Sequence, residues 1–260
     1  VVILDEMSMV DVKLFQALIA ALRYSCRIIM VGDADQLPSV GPGNILGEVI
    51  RSGLVPTVCL NEIFRQAARS LIVENAHHII SSEPLQKGGR TDDFFFLESD
   101  GDAARKLVCD LVTTRLPRSY GFDPIRDIQV LCPTKLGPTG TQALNVELQN
   151  LLNPEQKGKP QLQSASRVFR VGDKVMQVRN NYEIVWNRIG GEQGVGAYNG
   201  DIGIVESINP RDRSMVVRMD DRRLIYPAEN LGELEIAYAI TVHKSQGSEF
   251  PAVILPVAQV

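Results

Sequence analysis

Two apolar runs that end in carboxylates constrain this chain more than any other feature. Val1-Val2-Ile3-Leu4 leads into Asp5-Glu6, and Cys26 to Val31 leads into Gly32-Asp33-Ala34-Asp35-Gln36-Leu37-Pro38. Between them, Asp11 is placed to cap a helix whose one face carries Leu14, Phe15, Leu18, Ile19 and Leu22. Strand, helix, strand is a βαβ unit, so the two strands pair in parallel, and their apolar composition predicts burial on both faces. Open parallel sheets bind ligands at the carboxyl ends of their strands, where these acids stand. Adjacent acids also open ordinary polar loops. Their recurrence at two strand ends favours a nucleoside-triphosphate site, in which one acid holds Mg2+ and a second orients or deprotonates the attacking water.

With 260 residues the chain is long enough for one large domain or two ordinary ones, and 44% apolar against 22% charged residues allows a sizeable core. A net charge of −4 and a pI near 5.5 leave no general basic footprint, so nucleic acid would have to bind in a local groove. Cys26, Cys59, Cys109 and Cys132 form no C-x-x-C pair, and three lie in apolar strand-like runs. They read as buried, reduced thiols, not metal ligands. No run approaches the length of about 18 apolar residues needed to span a bilayer, and no secretory signal is visible. A cytoplasmic protein without membrane contact is expected. Because the chain opens inside a core strand and without Met, it reads as a piece of a longer protein.

Downstream, the loop from Asp33 to Asn44 is shaped by Pro38, Gly41, Pro42 and Gly43, and a short helix from Ile45 to Arg51 stops at Gly53. Pro56 is the first candidate boundary. Thr57 to Leu60 and Phe94 to Leu97 read as short strands, with the Phe94-Phe95-Phe96 run read as core. Between them lie a helix with Leu71, Ile72, Ala76, Ile79 and Ile80 on its inner face and a loop from Ser81 to Asp93. Ala103 to Leu116 is helical, and Asp127 to Cys132 is a buried strand ending in Pro133-Thr134-Lys135. Leu144, Leu148 and Leu151 mark a helix from Thr141 to Leu152, stopped by Pro154. From Arg167 the texture changes to short β-rich runs separated by turns such as Asn199-Gly200-Asp201 and Asn209-Pro210-Arg211-Asp212, predicting a small all-β barrel. Glu235 to Thr241 and Ala252 to Val257 return to the α/β texture, so the barrel is an insertion.

The runs LDEMSMVD, VGDADQLPSVGPGN, LNEIFRQ, VLCPTKLGPTGTQALN and AYAITVHKSQGSEF resemble, in order, motifs of superfamily 1 helicases of the RecD/TraA type. The resemblance implies an α/β fold of RecA-like parallel-sheet domains of the P-loop NTPase type. The first is truncated, and a small barrel of the Src-homology-3 type is inserted in the second. The division it implies is 1–56 for the end of the first domain, 57–166 and 231–260 for the second, and 167–230 for the barrel. It places ATP in the cleft between the two RecA-like domains and single-stranded DNA across the top, with 5′→3′ polarity. Carried over to this sequence, Asp5 is the Mg2+-side acid and Glu6 the catalytic base. Gln36 senses the γ-phosphate, and Arg65 is an arginine finger whose planar fork Lys cannot copy. Gly247 and Glu249 lie on the ATP side. Thr134, Lys135, Thr241 and His243 contact DNA, chiefly through its phosphates. The branch also implies other subunits of a helicase–nuclease complex as partners, in recombination, repair or DNA transfer.

Other residues carry less. Asp35 reads as a loop cap, His77 and His78 receive no role, and Tyr182 and Trp186 read as ordinary barrel residues, with nucleic-acid or partner contact as the alternative. No G-x-x-x-x-G-K-[ST] loop occurs in the chain, and the family's last motif with its second phosphate-contacting Arg is missing as well. The sequence therefore predicts that this stretch alone does not turn over ATP. Two further readings remain: a non-catalytic DNA-binding or regulatory subunit that keeps the fold, and a protein-interaction module centred on the barrel.

Overall fold

The computed structural model describes residues 1–60, 70–89, 92–165, 167–188 and 190–257. They fall into two compact units, Val1–Leu97 and Glu98–Val260.

In the first unit, β1 (Val2–Leu4) is followed by α1 (Val12–Ala21) and β2 (Ile28–Met30), and the strands pair in parallel with Leu4 opposite Met30. The Asp11 carboxylate accepts from the Leu14 N–H at 2.7 Å, so the expected cap is present. α2 (Ile45–Ser52) starts at Asn44, whose side chain accepts from the Gly47 N–H at 3.0 Å, and ends at Gly53 with φ 64°. α3 (Leu71–Ile80) follows, capped by Ser70.

Several expectations fail in this unit, for one physical reason: apolar runs are strands or core only where a neighbour covers them. Ile3 and Ile29 are 66% and 49% exposed, because among the described residues the sheet has two strands, and a ribbon of two cannot cover its own faces. Among the described residues Thr57 to Leu60 and Phe94 to Leu97 pair with no strand and are not strands; Val58, Leu60, Phe95 and Phe96 are exposed. Lys87 lies over the Phe96 ring instead, at 5.4 Å. On α3 the expected apolar face is turned out at Ile72, Ala76, Ile79 and Ile80, and the buried position is Asn75. Its amide donates to Gln86 O at 3.1 Å and accepts from the Gln86 N–H at 2.7 Å, a polar anchor that apolar periodicity cannot reveal. All four cysteines are free as expected, but Cys59 is exposed and Cys26 half-buried.

The second unit begins with α4 (Gly101–Asp110), which runs through a π-helical turn at Leu111–Arg115 into α5 (Leu116–Tyr120), ended by Gly121 at φ 74°. β3 (Ile128–Cys132) and α6 (Thr141–Leu152) match the sequence reading, although Leu151 is exposed. The β-rich part then contains β4 (Gln161–Ser164), β5 (Arg167–Arg170), β6 (Lys174–Gln177), β7 (Asn181–Arg188) and β8 (Gln193–Ala197). It continues through β9 (Ile202–Asn209), β10 (Ser214–Met219), β11 (Arg222–Tyr226) and β12 (Leu234–Ile236). Seven of these strands make an antiparallel sheet in the order β12-β6-β9-β10-β11-β7-β8, and β4 pairs with β5. Phe169, Val175, Met215, Val217, Leu224 and Tyr226 fill its core, as expected of a small β-barrel. After it come β13 (Ala239–Thr241) and β14 (Ala252–Ile254), which flank β3 in a parallel sheet. β3 and β13 are neighbours although the whole barrel separates them in sequence, so the barrel interrupts one α/β sheet.

A buried polar hub ties the barrel to that sheet. The fully buried Asp173 carboxylate accepts from Gln149 at 2.6 Å, Asn153 at 2.6 Å, the Arg170 N–H at 2.7 Å and the Tyr238 hydroxyl at 3.0 Å. With each oxygen doubly satisfied, the group locks α6, β5 and the approach to β13 to one another. No helix among the described residues is long and apolar enough to cross a membrane.

Candidate nucleotide and nucleic-acid sites

Past β1 and β2, the two segments that leave them stay side by side. The Val31 N–H donates to Leu4 O at 2.7 Å and the Met7 N–H to Val31 O at 3.0 Å, which brings Asp5-Glu6 beside Gly32-Asp33. Gly32 is required there: a Cβ would stand 2.9 Å from Met7 N and 3.0 Å from Leu46 Cδ2. Asp5 and Glu6 are exposed, and Asp5 Oδ1 accepts from the Glu6 N–H at 2.9 Å. Glu6 has φ 53° and ψ 42°, a left-handed conformation that costs a residue with a Cβ about 1 kcal/mol. This turn takes the chain out of the strand and into the buried Met7.

In the neighbouring loop Asp33, not Asp35, is the organising cap. Its carboxylate accepts from the Asp35 N–H at 2.9 Å and from Gln36 Nε2 at 3.3 Å, so the exposed Gln36 amide is held by the strand-end acid. The rest of the loop is fastened to α1, since the Val12 N–H donates to Pro42 O at 3.1 Å. Arg65 lies outside the described residues. Among the described residues no cluster of three or more His, Cys, Asp or Glu side chains could cage a metal ion. A single exposed carboxylate such as Asp5 does fit Mg2+ that arrives on phosphates, because that ion keeps water and phosphate oxygens and needs one or two carboxylates.

The second unit presents a different strand end. Thr241 stands opposite Cys132 in register, so the loops after β13 and β3 leave the sheet together. Thr134 and Lys135 are fastened to the start of α6: the Thr141 N–H donates to Thr134 O at 3.2 Å and the Gln142 N–H to Lys135 O at 3.1 Å. The Thr134 hydroxyl is spent within this loop, donating to Leu136 O at 2.8 Å. Lys135, Thr141, Asn145, Glu235, Thr241 and Lys244 line one small cleft of about 20 Å3. Burial holds the Lys244 ammonium below the usual lysine range; nearby Glu235 opposes this, and the Lys135 and Arg167 cations add to it. An anion in the cleft would favour the Lys244 charge that burial and the neighbouring cations disfavour.

The structure therefore brings Lys135 and Thr241 together and adds Lys244 and Asn145, which sequence reasoning did not name. Lys244 follows His243 directly and could have been found from the same motif. His243 itself is exposed on the 3-10 turn Val242–Ser245, and Gly247, at φ 75°, and the exposed Glu249 follow in the same loop, outside the cleft lining. Tyr182 and Tyr198 pack edge to face at 6.0 Å, and Trp186 carries Arg188 at 5.3 Å from its ring.

The model of the ATP-dependent RecD-like DNA helicase SH3 domain matches residues 144–219, an AAA domain model matches 1–98, and the UvrD-like helicase C-terminal domain matches 236–259. The ATP-dependent RecD2 DNA helicase of Deinococcus radiodurans is 32% identical over 252 residues, 97% of this chain and 32% of its own length. Over its whole length the chain is similar to RecD-like helicases. The RecBCD enzyme subunit RecD of Mycobacterium tuberculosis is 28% identical over 276 residues, matching all of this RecD-like chain and 44% of that subunit. The chain thus spans a third to less than half of these curated relatives. A crystal structure of Pif1 helicase from Bacteroides in complex with ADP-AlF3 and ssDNA superposes with a TM-score of 0.55 over 99% of this chain and 64% of that one, at 21% identity. It shares the RecA-like fold seen here.

Proposed function

We propose that this chain forms part of an ATP-dependent DNA helicase or translocase that moves 5′→3′ along single-stranded DNA. One observation supports it above the others: the strand ends of the first unit are acidic and those of the second are basic. Hydrolysis of a γ-phosphate needs the first, and a grip on a phosphate backbone needs the second.

In this reading Asp5 holds Mg2+ on the nucleotide, while Glu6 takes a proton from the attacking water. Its left-handed turn fixes where that carboxylate starts from. Gln36, tethered to Asp33, reports the state of the γ-phosphate to the loop behind it, and Arg65 supplies the finger that stabilises charge on the transferring group. Gly247 and Glu249 face the nucleotide. Lys135, Thr241 and His243 carry the DNA backbone, with Thr134 shaping the turn that presents Lys135. Relatives named as a RecBCD subunit support a setting in a helicase–nuclease complex, with its other subunits as partners.

Binding is modest and salt-sensitive in this account, because few phosphates are neutralised at once, each contributing a slope of about −0.7 in log affinity against log salt. The test is titration of a fluorescent oligothymidylate. Lys135→Ala with His243→Ala weakens binding about tenfold, equivalent to about 1.4 kcal/mol, and flattens the salt dependence. Unchanged affinity and slope would place the DNA track elsewhere.

A further inference from the structure

Among the described residues β13 is an edge strand, and its outer edge is closed by one side chain. On the side of β3, the Val130 N–H donates to Tyr238 O at 3.4 Å. Backbone groups alternate along a strand, so Ala239 turns its N–H and C=O the other way, where no strand lies among the described residues. Ala239 is 1% exposed, which denies those groups water. Asn145 meets both of them. Its amide nitrogen donates to Ala239 O at 2.8 Å, and its amide oxygen accepts from the Ala239 N–H at 2.8 Å. A single primary amide thus reproduces the hydrogen-bond pair that a further strand would have made. Just before the strand, the buried Gln129 amide donates to Ala237 O at 3.2 Å and Tyr238 O at 3.1 Å, so the approach to β13 is fixed as well.

Asn145 stands in the second turn of α6, the helix whose first N–H groups hold the carbonyls of Thr134 and Lys135. One rigid element therefore grips both basic loops: its start holds the loop after β3, and its Asn145 holds the strand that delivers the loop after β13. The same residue lines the cleft with Lys135, Thr241 and Lys244. An apolar side chain at 145 would fill the space without fixing where along its axis β13 sits.

We propose that Asn145 is a positioning residue that sets the spacing between the Lys135 loop and the Thr241–Lys244 loop, and hence between the cations that grip the DNA backbone; this rests on the DNA reading of the site. The experiment compares the chain with N145L and N145D by site-resolved amide hydrogen exchange and by oligothymidylate titration, on protein verified as folded. In N145L the Ala239 amide exchanges at least about tenfold faster while Val130 and Leu131 keep their protection, and affinity falls about tenfold. N145D keeps the acceptor but not the donor, so the Ala239 amide stays protected; its carboxylate would stand beside Lys135 and Lys244, so only the exchange is read from this variant. Unchanged exchange at Ala239 in N145L would overturn the proposal. So would faster exchange spread evenly over β3, β13 and β14 with affinity unchanged, the mark of a merely structural residue. Should the wild type ignore oligothymidylate while N145L shows the localised exchange, the DNA reading fails and the positioning of the loop stands.

Discussion

Ile3 and Ile29, at the centres of β1 and β2, are 66% and 49% exposed, whereas Ile128, Val130 and Ile240 of β3 and β13 are 2%, 1% and 2% exposed. Both pairs are parallel, both are apolar, and both end in loops with a chemical task. The difference lies in what covers them. β3 has a strand on each side, and Val108, Val112, Leu144 and Leu148 pack on it from α4, the π-helical turn and α6. Among the described residues β1 and β2 pair only with each other, and α1 has no buried residue. Among the described residues the acidic loops are shaped by local backbone contacts and the Asp33 cap, while the basic loops are set on a packed sheet by side chains from α6. Similar apolar runs give opposite burial because burial is a property of neighbours.

Core truncation is the strongest way to break this comparison. Leu144→Ala empties a fully buried site and lowers unfolding free energy by about 2–5 kcal/mol. Ile3→Ala, at an exposed site, costs less than about 0.5 kcal/mol in this chain. Denaturant titration of both checks it, and equal costs would mean that β1 is buried in solution after all.

A smaller effect sharpens it. Lys174 is 3% exposed beneath β3, its ammonium donating to Ile128 O at 3.3 Å and lying 5.7 Å from the Phe250 ring. Burial pulls its pKa down to about 8 against the pull of Asp123 and Asp127. The folded chain then loses this proton near pH 8, while the unfolded chain keeps it to about pH 10.4. Between those values the unfolded state binds more protons, so the stability of wild type relative to K174M rises with pH, by up to about 1.4 kcal/mol per unit, and its penalty is full below that window. Taking the difference cancels the buried Cys109, Cys132, Tyr226 and Tyr238, whose raised pKa values act in the opposite sense. A flat difference would show that Lys174 is hydrated.

Smallest is the cap of the first unit. Asp11→Ala removes the acceptor for the Leu14 N–H and costs about 1 kcal/mol, seen as lost helicity in α1 with the melting of the barrel unmoved.

What could be read beforehand follows the same division. β3, α6 and the barrel were legible because strong periodicity, turn residues and Pro154 agreed with what the surroundings then buried. Thr57 to Leu60 and Phe94 to Leu97 carry the composition of strands but find no partner strand among the described residues, and no local signal reports that. β4 and β12 extend the β-rich part beyond 167–230: Gln161–Ser164 pairs with β5, and Leu234–Ile236 pairs with β6, with Arg167 donating to Leu234 O at 2.9 Å. Asp5, Glu6, Lys135 and Thr241 were legible as strand-end residues. Asn145 was not, because a half-buried amide in the second turn of a helix has no pattern until the strand it brackets is in place.

The central claim is a division of labour between the two strand ends, and one paired measurement on the full-length protein tests it. DNA-stimulated phosphate release with Mg-ATP and oligothymidylate affinity are recorded on the same preparations of wild type, Glu6→Gln and Lys135→Ala. The account predicts that Glu6→Gln lowers turnover by at least about 100-fold with DNA affinity unchanged. Lys135→Ala weakens DNA binding and raises the DNA concentration needed for half-stimulation, with saturated turnover retained. Glu6→Gln that turns over at the wild-type rate, or loses DNA affinity as much as Lys135→Ala does, would contradict it.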